Sequence, residues 1–276
     1  MDVEQHGRSD SANCIQAEKE ASKDVSLSGY NEEQVRLMAE SCIVVDTNDR
    51  PLGAASKKDC HLMSNIDNGL LHRAFSVFLF DGENRLLLQQ RASEKITFPD
   101  RWTNACCSHP LSVSAEQGDG KMLSSAVRGV KRAAARKLMQ ELGIPTTYIR
   151  PESFKFLGRI HYKAASDGIW GEHEIDYILF LQADVTIKAN ANEVRDWKYV
   201  TMHELRTMLD GDGALNQFTP WFRLICRDAL FQWWDLLQEG RLEEQEEFSE
   251  IRRMTLKPQW EPNWPRRGTL RRGEDY

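Results

Sequence analysis

The chain has 276 residues, 41% hydrophobic and 28% charged, the proportions of an ordinary globular protein rather than of a disordered, collagen-like or coiled-coil chain. A formal net charge of −6 lacks the basic footprint of a general nucleic-acid binder, and no apolar run approaches the roughly 20 residues that span a bilayer. Six cysteines, two adjacent at Cys106-Cys107, are too few for a disulfide scaffold and suit free thiols in a reducing compartment.

The first 35 residues are polar and acidic, without the apolar core of a secretory signal, and too acidic for a typical organelle transit peptide. They read as a flexible arm. Cys42-Ile43-Val44-Val45-Asp46 reads as a short strand and Asn48-Asp49-Arg50-Pro51 as the turn after it. Arg73 to Phe80 is aromatic and β-branched. Asp81-Gly82 is a hairpin turn signal, and Arg85 to Gln90 is the return strand. A helix is expected over about Ser124–Leu142, with Gly143 as its C-cap and Pro145 beyond. Val127, Val130, Ala134 and Leu138 form its apolar stripe, and Glu141 falls on that stripe. A carboxylate there needs a cation beside it, or else the last turn frays and carries it to solvent. Gly158–Tyr162 and Glu172–Asp184 read as strands, and about Pro220–Arg253 as helical. The organisation expected is a polar arm over 1–40, one α/β domain over 41–254, and a tail over 255–276 holding Trp260, Trp264 and two Arg-Arg pairs.

Four groups of residues suggest chemistry. In a strand, Glu172 and Glu174 face one side and His173 the other. Two carboxylates about 7 Å apart on one face suit a metal or acid–base site, or a solvated strand edge. His72 opens an apolar strand and His61 sits in a polar loop. Their spacing matches no local metal template, so any shared ion has to be assembled by the fold, and each is otherwise a structural or exposed histidine. Cys107 and His109 are two apart in an extended segment and point the same way. A nearby histidine or cation would favour the thiolate; the alternative is an inert buried pair. Lys57, Lys58, Arg91, Lys95 and Lys137 are scattered beside these features and would hold a diphosphate if they converge.

These signals coincide in one family. Cys60-His61-Leu62, Gly69-Leu70-Leu71-His72-Arg73-Ala74-Phe75, Leu87-Leu88-Gln89-Gln90-Arg91-Ala92, Ile96-Thr97-Phe98-Pro99 and Thr103-Asn104-Ala105-Cys106-Cys107-Ser108-His109-Pro110-Leu111 closely resemble type I isopentenyl-diphosphate delta-isomerases. That family has the Nudix fold, a mixed β-sheet flanked by helices (α/β, or α+β), here with N- and C-terminal extensions. Arg136-Lys137-Leu138-Met139-Gln140-Glu141-Leu142-Gly143 looks like the second half of a Nudix box, with Lys137 and Gln140 where hydrolases carry acids. The resemblance runs from about Ile43 to Met254. It implies His61, His72, His109, Glu172 and Glu174 as ligands of a divalent metal, and Glu141 as a holder of Mg²⁺ against the diphosphate. It further implies Cys107 as the catalytic cysteine, and Lys57 (or Lys58), Arg91, Lys95, Lys137 and Ser108 as substrate contacts. Tyr162 and Trp221 match its active-site aromatics. His6, His161, His173 and His203 match no functional position.

The implied reaction interconverts isopentenyl and dimethylallyl diphosphate. Protonating an unactivated alkene makes a tertiary carbocation, and a second proton then leaves C2. The site therefore needs an acid and a base on opposite faces and no loose water. Glu174 beside the Tyr162 hydroxyl is expected on the alkene side and Cys107, as thiolate, on the C2 side. Trp221 shields the cation with its π face. A His₃Glu₂ ligand set suits Mg²⁺, Mn²⁺ or Zn²⁺, the nitrogens pushing away from pure Mg²⁺. The competing readings are a Nudix pyrophosphohydrolase and a metal-stabilised binding module without catalysis. The expected partner is the small diphosphate alone, with no nucleic acid and no membrane segment, in a monomer or weak homodimer. Cytoplasm is the default compartment; the C-terminal Gly273-Glu274-Asp275-Tyr276 is not a peroxisomal tripeptide, and other organelles stay open.

Overall fold

A computed structural model describes residues 25–211, 217–245 and 249–255, and within them ten strands form one mixed sheet. They are β1 (Ser41–Val45), β2 (Pro51–Ser56), β3 (His72–Phe80), β4 (Leu86–Arg91), β5 (Trp102–Asn104), β6 (Cys106–Ser108), β7 (Lys155–Ala165), β8 (Gly171–Gln182), β9 (Val194–Val200) and β10 (Ile251–Arg253). The main path runs β10-β7-β8-β3-β1-β2, while β6 and β4 also pair with β3, and β5 and β9 with β4. β3 lies parallel to β8 from His72↔Glu174 to Phe80↔Gln182.

β3 is buried along its whole length, as expected of a strand covered on both faces. Phe75, Val77 and Leu79, with Ile175, Tyr177 and Leu179 of β8, pack on one face against Val127, Val130, Ala134 and Leu138 of the helix Leu123–Leu142. Phe78, Phe80, Ile178 and Phe180 face the other way, against Trp221, Phe222, Trp233 and Trp234. Because side chains alternate, the even-numbered positions of β3 and β8 share this second face. His72, Ser76, Glu172 and Glu174 therefore come to one place.

The long helix ends at Gly143 in the left-handed conformation, φ 66°. Gly129 lets it approach the segment Ser114–Gln117: a Cβ there would stand 2.1 Å from the Glu116 carbonyl oxygen. Arg136 on the same helix grips the Glu116 carboxylate at 2.7 and 2.8 Å, and Glu116 accepts from the Leu111 backbone N–H. That chain of contacts fixes the loop following β6.

Several expectations are altered. The helical region expected through Arg253 stops at Gln238; Gly240 (φ 68°) turns the chain, and Ile251–Arg253 pairs in parallel with β7. Asp81-Gly82 does turn the chain, but only Phe80↔Leu86 pairs across it. The two strands diverge because β6 takes the place beside Phe75–Val77. Within the expected arm, Glu32–Leu37 is a helix capped by the Asn31 side chain, with Gln34, Leu37 and Met38 buried. One turn with two apolar residues is too short to show a period. Residues 1–24 of the arm and 256–276 of the tail, with Trp260 and Trp264, lie outside the described residues.

Candidate active site

His61 ends the helix Lys57–His61, which Ser56 caps through the Asp59 N–H at 3.0 Å. The His61 Nδ1–H donates to the Lys57 carbonyl at 2.6 Å, which leaves Nε2 as a free lone pair facing inward. His72 opens β3 directly beside Glu174 of β8, and His109 follows β6 on the loop held by Glu116 and Arg136. The ligand atoms of His61, His72, His109, Glu172 and Glu174 all lie within 4.8 Å of one another, and all five residues are buried.

His61 Nε2 stands 3.1 Å from Glu172 Oε2, while Glu174 Oε1 is 3.3 Å from His72 Nε2 and 2.8 Å from His109 Nε2. His72 Nδ1 and Glu172 Oε2 are buried without hydrogen-bond partners. Burial, then the charges of His72 and His61, holds His109 well below the usual imidazole range. At His72 burial works the same way but the Glu174 bond outweighs it, so its pKa is raised. Three imidazoles and two carboxylates with unpartnered atoms aimed at one point are stable when a divalent cation supplies the missing partner, and the donor set is compatible with one. Thr97 orients this set from outside: its hydroxyl donates to Glu172 Oε1 at 2.9 Å. His173, on the opposite side of β8, bonds His161 and the Leu70 carbonyl instead.

The remaining residues form a pocket beside the cluster. The Cys107 thiol donates to Asn104 Oδ1 at 3.0 Å and accepts from the Trp221 indole N–H at 3.0 Å. Asn104 is itself fixed, donating to the Val77 and Cys106 carbonyls. Burial pushes the Cys107 pKa up to about 12, despite the opposing Thr103 and Trp221 bonds and the Arg91 charge. Desolvation at Sγ thus outweighs the Arg91 charge and the hydrogen bonds that favour the thiolate. Opposite in character is Glu174. Burial alone would raise it, but bonds from His72 and its other neighbours hold it at about 2. The Tyr162 hydroxyl donates to Glu174 Oε2 at 2.5 Å. The Tyr162 and Trp221 ring centroids are 6.0 Å apart, and Phe98 meets Trp221 edge-on at 5.4 Å.

The basic groups do converge, in two layers. Lys57, Arg91, Lys95 and Ser108 line the pocket. Lys58 does not. Arg91 Nε and Nη2 are committed to the Phe98 and Thr97 carbonyls at 3.0 and 2.7 Å, which fixes the plane of its guanidinium. Lys137 and Glu141 sit beneath the pocket wall, Nζ to Oε1 3.1 Å, each nearly inaccessible. Glu141 is thus neither frayed nor solvated. Its Oε1 is not aligned with Lys137 for a hydrogen bond and has no other partner, while Oε2 accepts from Gln89 at 3.3 Å.

Two contributors were not foreseen. Gln34 and Met38, in the expected arm, line the pocket, and Gln34 is bound to Asn192 at 2.7 Å. Glu193, in a polar stretch without periodicity, is buried against Lys95 and lies 4.0 Å from Lys137. No local signal marks either; charge left unpaired among the lysines was the available clue.

The NUDIX domain model matches residues 70–222. The chain is 60% identical over 245 residues to isopentenyl-diphosphate delta-isomerase of Aspergillus fumigatus, covering 86% of each chain. It is 61% identical over 205 residues to that of Schizosaccharomyces pombe, covering 74% of this chain and 88% of the relative. To the Bos taurus isopentenyl-diphosphate delta-isomerase 1 it is 53% identical over 221 residues, covering 79% and 95%. Similarity at this level and extent, together with a NUDIX domain built around the His/Glu cluster, places the chain in the isopentenyl-diphosphate delta-isomerase family.

Proposed function

We infer that this chain is an isomerase that interconverts isopentenyl diphosphate and dimethylallyl diphosphate by adding one proton and removing another. Its support is one juxtaposition. A half-buried thiol and a buried carboxylate–phenol pair, Cys107 and Glu174–Tyr162, line the same aromatic pocket that Lys57, Arg91 and Lys95 also line. These cations are suited to the diphosphate, Arg91 offering the donors that its loop contacts leave over. The aromatic end is suited to the five-carbon chain and to the carbocation, which the Trp221 face stabilises by about 2 kcal/mol in a water-excluded site.

Protonation at the terminal alkene carbon and loss of a proton from C2 need two groups of different proton affinity. Glu174, hydrogen-bonded by the Tyr162 hydroxyl, and Cys107 are the pair available for this: one donates to the terminal carbon and the other accepts from C2. Turnover leaves the pair in the inverse state, which suits the return reaction with the roles exchanged. His61, His72, His109, Glu172 and Glu174 would hold a divalent ion, whose positive charge would fix these ligands and set the proton affinity of Glu174; the three imidazoles favour Mn²⁺ or Zn²⁺ over Mg²⁺. Glu141, whose carboxylate Lys137 holds in place, would be the residue to hold the Mg²⁺ that accompanies a diphosphate.

The hydrolase alternative loses ground because Lys137, in place of a box acid, fills the space beside Glu141 with an ammonium. The test is incubation with isopentenyl diphosphate and Mg²⁺. Dimethylallyl diphosphate is the expected product; free phosphate without it would overturn the reading.

A further inference from the structure

Glu193 stands where three segments meet. Its backbone N–H bonds the Asn190 carbonyl at 2.9 Å, and its carbonyl accepts from Ala92 at 3.0 Å, at the start of the loop that carries Lys95. Asn190 is in turn bonded to the Glu141 carbonyl at 2.9 Å. The side chain has no exposure. One oxygen binds the Lys95 ammonium; the other, 4.0 Å from Lys137 Nζ, is buried with no hydrogen-bond partner.

We propose that Glu193 is a positioning residue for the diphosphate site, its buried carboxylate anchoring Lys95 at the pocket and balancing the charge of Lys137 behind it, so that the Lys95 ammonium stays turned toward the anion. Resting on the isomerase reading, the inference deepens it. The Lys95 and Lys137 ammonium groups both lie within 4.0 Å of this one carboxylate, and two cations so placed repel one another. A single carboxylate buried beneath them offsets that repulsion without occupying the pocket. It also keeps Lys95 from swinging to solvent, the default for a long flexible side chain at a rim.

The test uses the full chain and inorganic pyrophosphate with Mg²⁺ as the probe, in wild type, Glu193→Gln and Glu193→Asp. Gln keeps the shape and an acceptor for Lys95 but removes the charge. In Glu193→Gln the inhibition constant for pyrophosphate and the KM for isopentenyl diphosphate should both rise about tenfold, the loss of one charge-assisted contact. kcat should change by less than about threefold, because binding common to ground and transition state is what is removed. Glu193→Asp keeps the charge and should fall between the two. Should Glu193→Gln not fold, Glu193→Asp alone decides: a weakened pyrophosphate constant supports the proposal and an unchanged one overturns it. A lower melting temperature with unchanged pyrophosphate affinity would mean a merely structural role and would also overturn it. If wild type binds pyrophosphate, Glu193→Gln does not, and neither makes dimethylallyl diphosphate, then the isomerase reading fails while this one stands.

Discussion

Replacing Glu141 by Gln should unsettle the protein by more than an ordinary surface change, because Lys137 then becomes a buried charge with one distant partner. At an effective dielectric constant of about 20, the 3.1 Å contact between Lys137 and Glu141 corresponds to about 5 kcal/mol of attraction, and the 4.0 Å approach to Glu193 to about 4 kcal/mol. Burial disfavours the ammonium, and the Glu141 and Glu193 charges are what hold the Lys137 pKa above its ordinary value. Removing one partner of a buried pair typically costs about 3–5 kcal/mol. For a folded part of this size each kcal/mol lowers the melting temperature by about 2–4 °C, so Glu141→Gln should melt about 6–20 °C lower. Adding Lys137→Met removes the stranded charge at similar volume and should restore most of that loss. The double variant should still bind pyrophosphate weakly, since both the Mg²⁺ holder and a cation are gone. Thermal melts by circular dichroism, with and without pyrophosphate, check both statements. If Glu141→Gln melts within about 2 °C of wild type, or if the double variant is no more stable than the single one, the buried pair is not the stabilising unit described.

Thr97→Val removes the hydroxyl that orients Glu172, and metal affinity should fall by about 10–100-fold in a competitive chelator titration; unchanged affinity would assign Thr97 to packing only. His161 supplies a pH dependence distant from the cluster. Burial first, then the charges of His173 and Arg253, lowers its pKa from 6.5 to about 4. The unfolded chain therefore takes up a proton that the folded one refuses, and stability should fall as the pH drops from 6.5 towards 4, with no such loss above 6.5. The corresponding window for Glu174 lies lower, between 4.5 and about 2. Denaturant midpoints at pH 7 and 5 should therefore differ less in His161→Gln than in wild type; equal differences would rule out His161 as the source.

The strands that build the site were legible because they are extreme. β3 and β8 carry apolar runs at Val77–Phe80 and Tyr177–Leu181, and the alternation within Glu172-His173-Glu174 put the two carboxylates on one side, as found. Glu141 was legible as an anomaly, an acid on an apolar stripe, and the cation that a buried acid requires proved to be Lys137. Meeting of His61, His72 and His109 was not readable from spacing, since parallel pairing of β3 with β8 and the loop after β6 bring them together across the fold. Tyr162 and Trp221 were reached only through family resemblance. β9 and the helix Met202–Asp210 escaped notice because Val194–Val200 is largely exposed, with only its ends buried. Glu193 escaped for a physical reason of its own. Its burial is created by lysines distant in sequence, and no pattern local to the stretch 188–193 records them. Proximity of Cys107 to His109 in sequence likewise says nothing of the desolvation that pushes the thiol pKa up.

Proton exchange between a five-carbon diphosphate and the pair Cys107 and Glu174 defines the proposed reaction. The most direct test is the conversion of isopentenyl diphosphate followed side by side in wild type and Cys107→Ala, with product identified by NMR. Wild type should give dimethylallyl diphosphate without free phosphate. Cys107→Ala should lose about 10²–10⁴-fold in turnover while melting much as before. Near-full isomerase activity in Cys107→Ala would contradict the account.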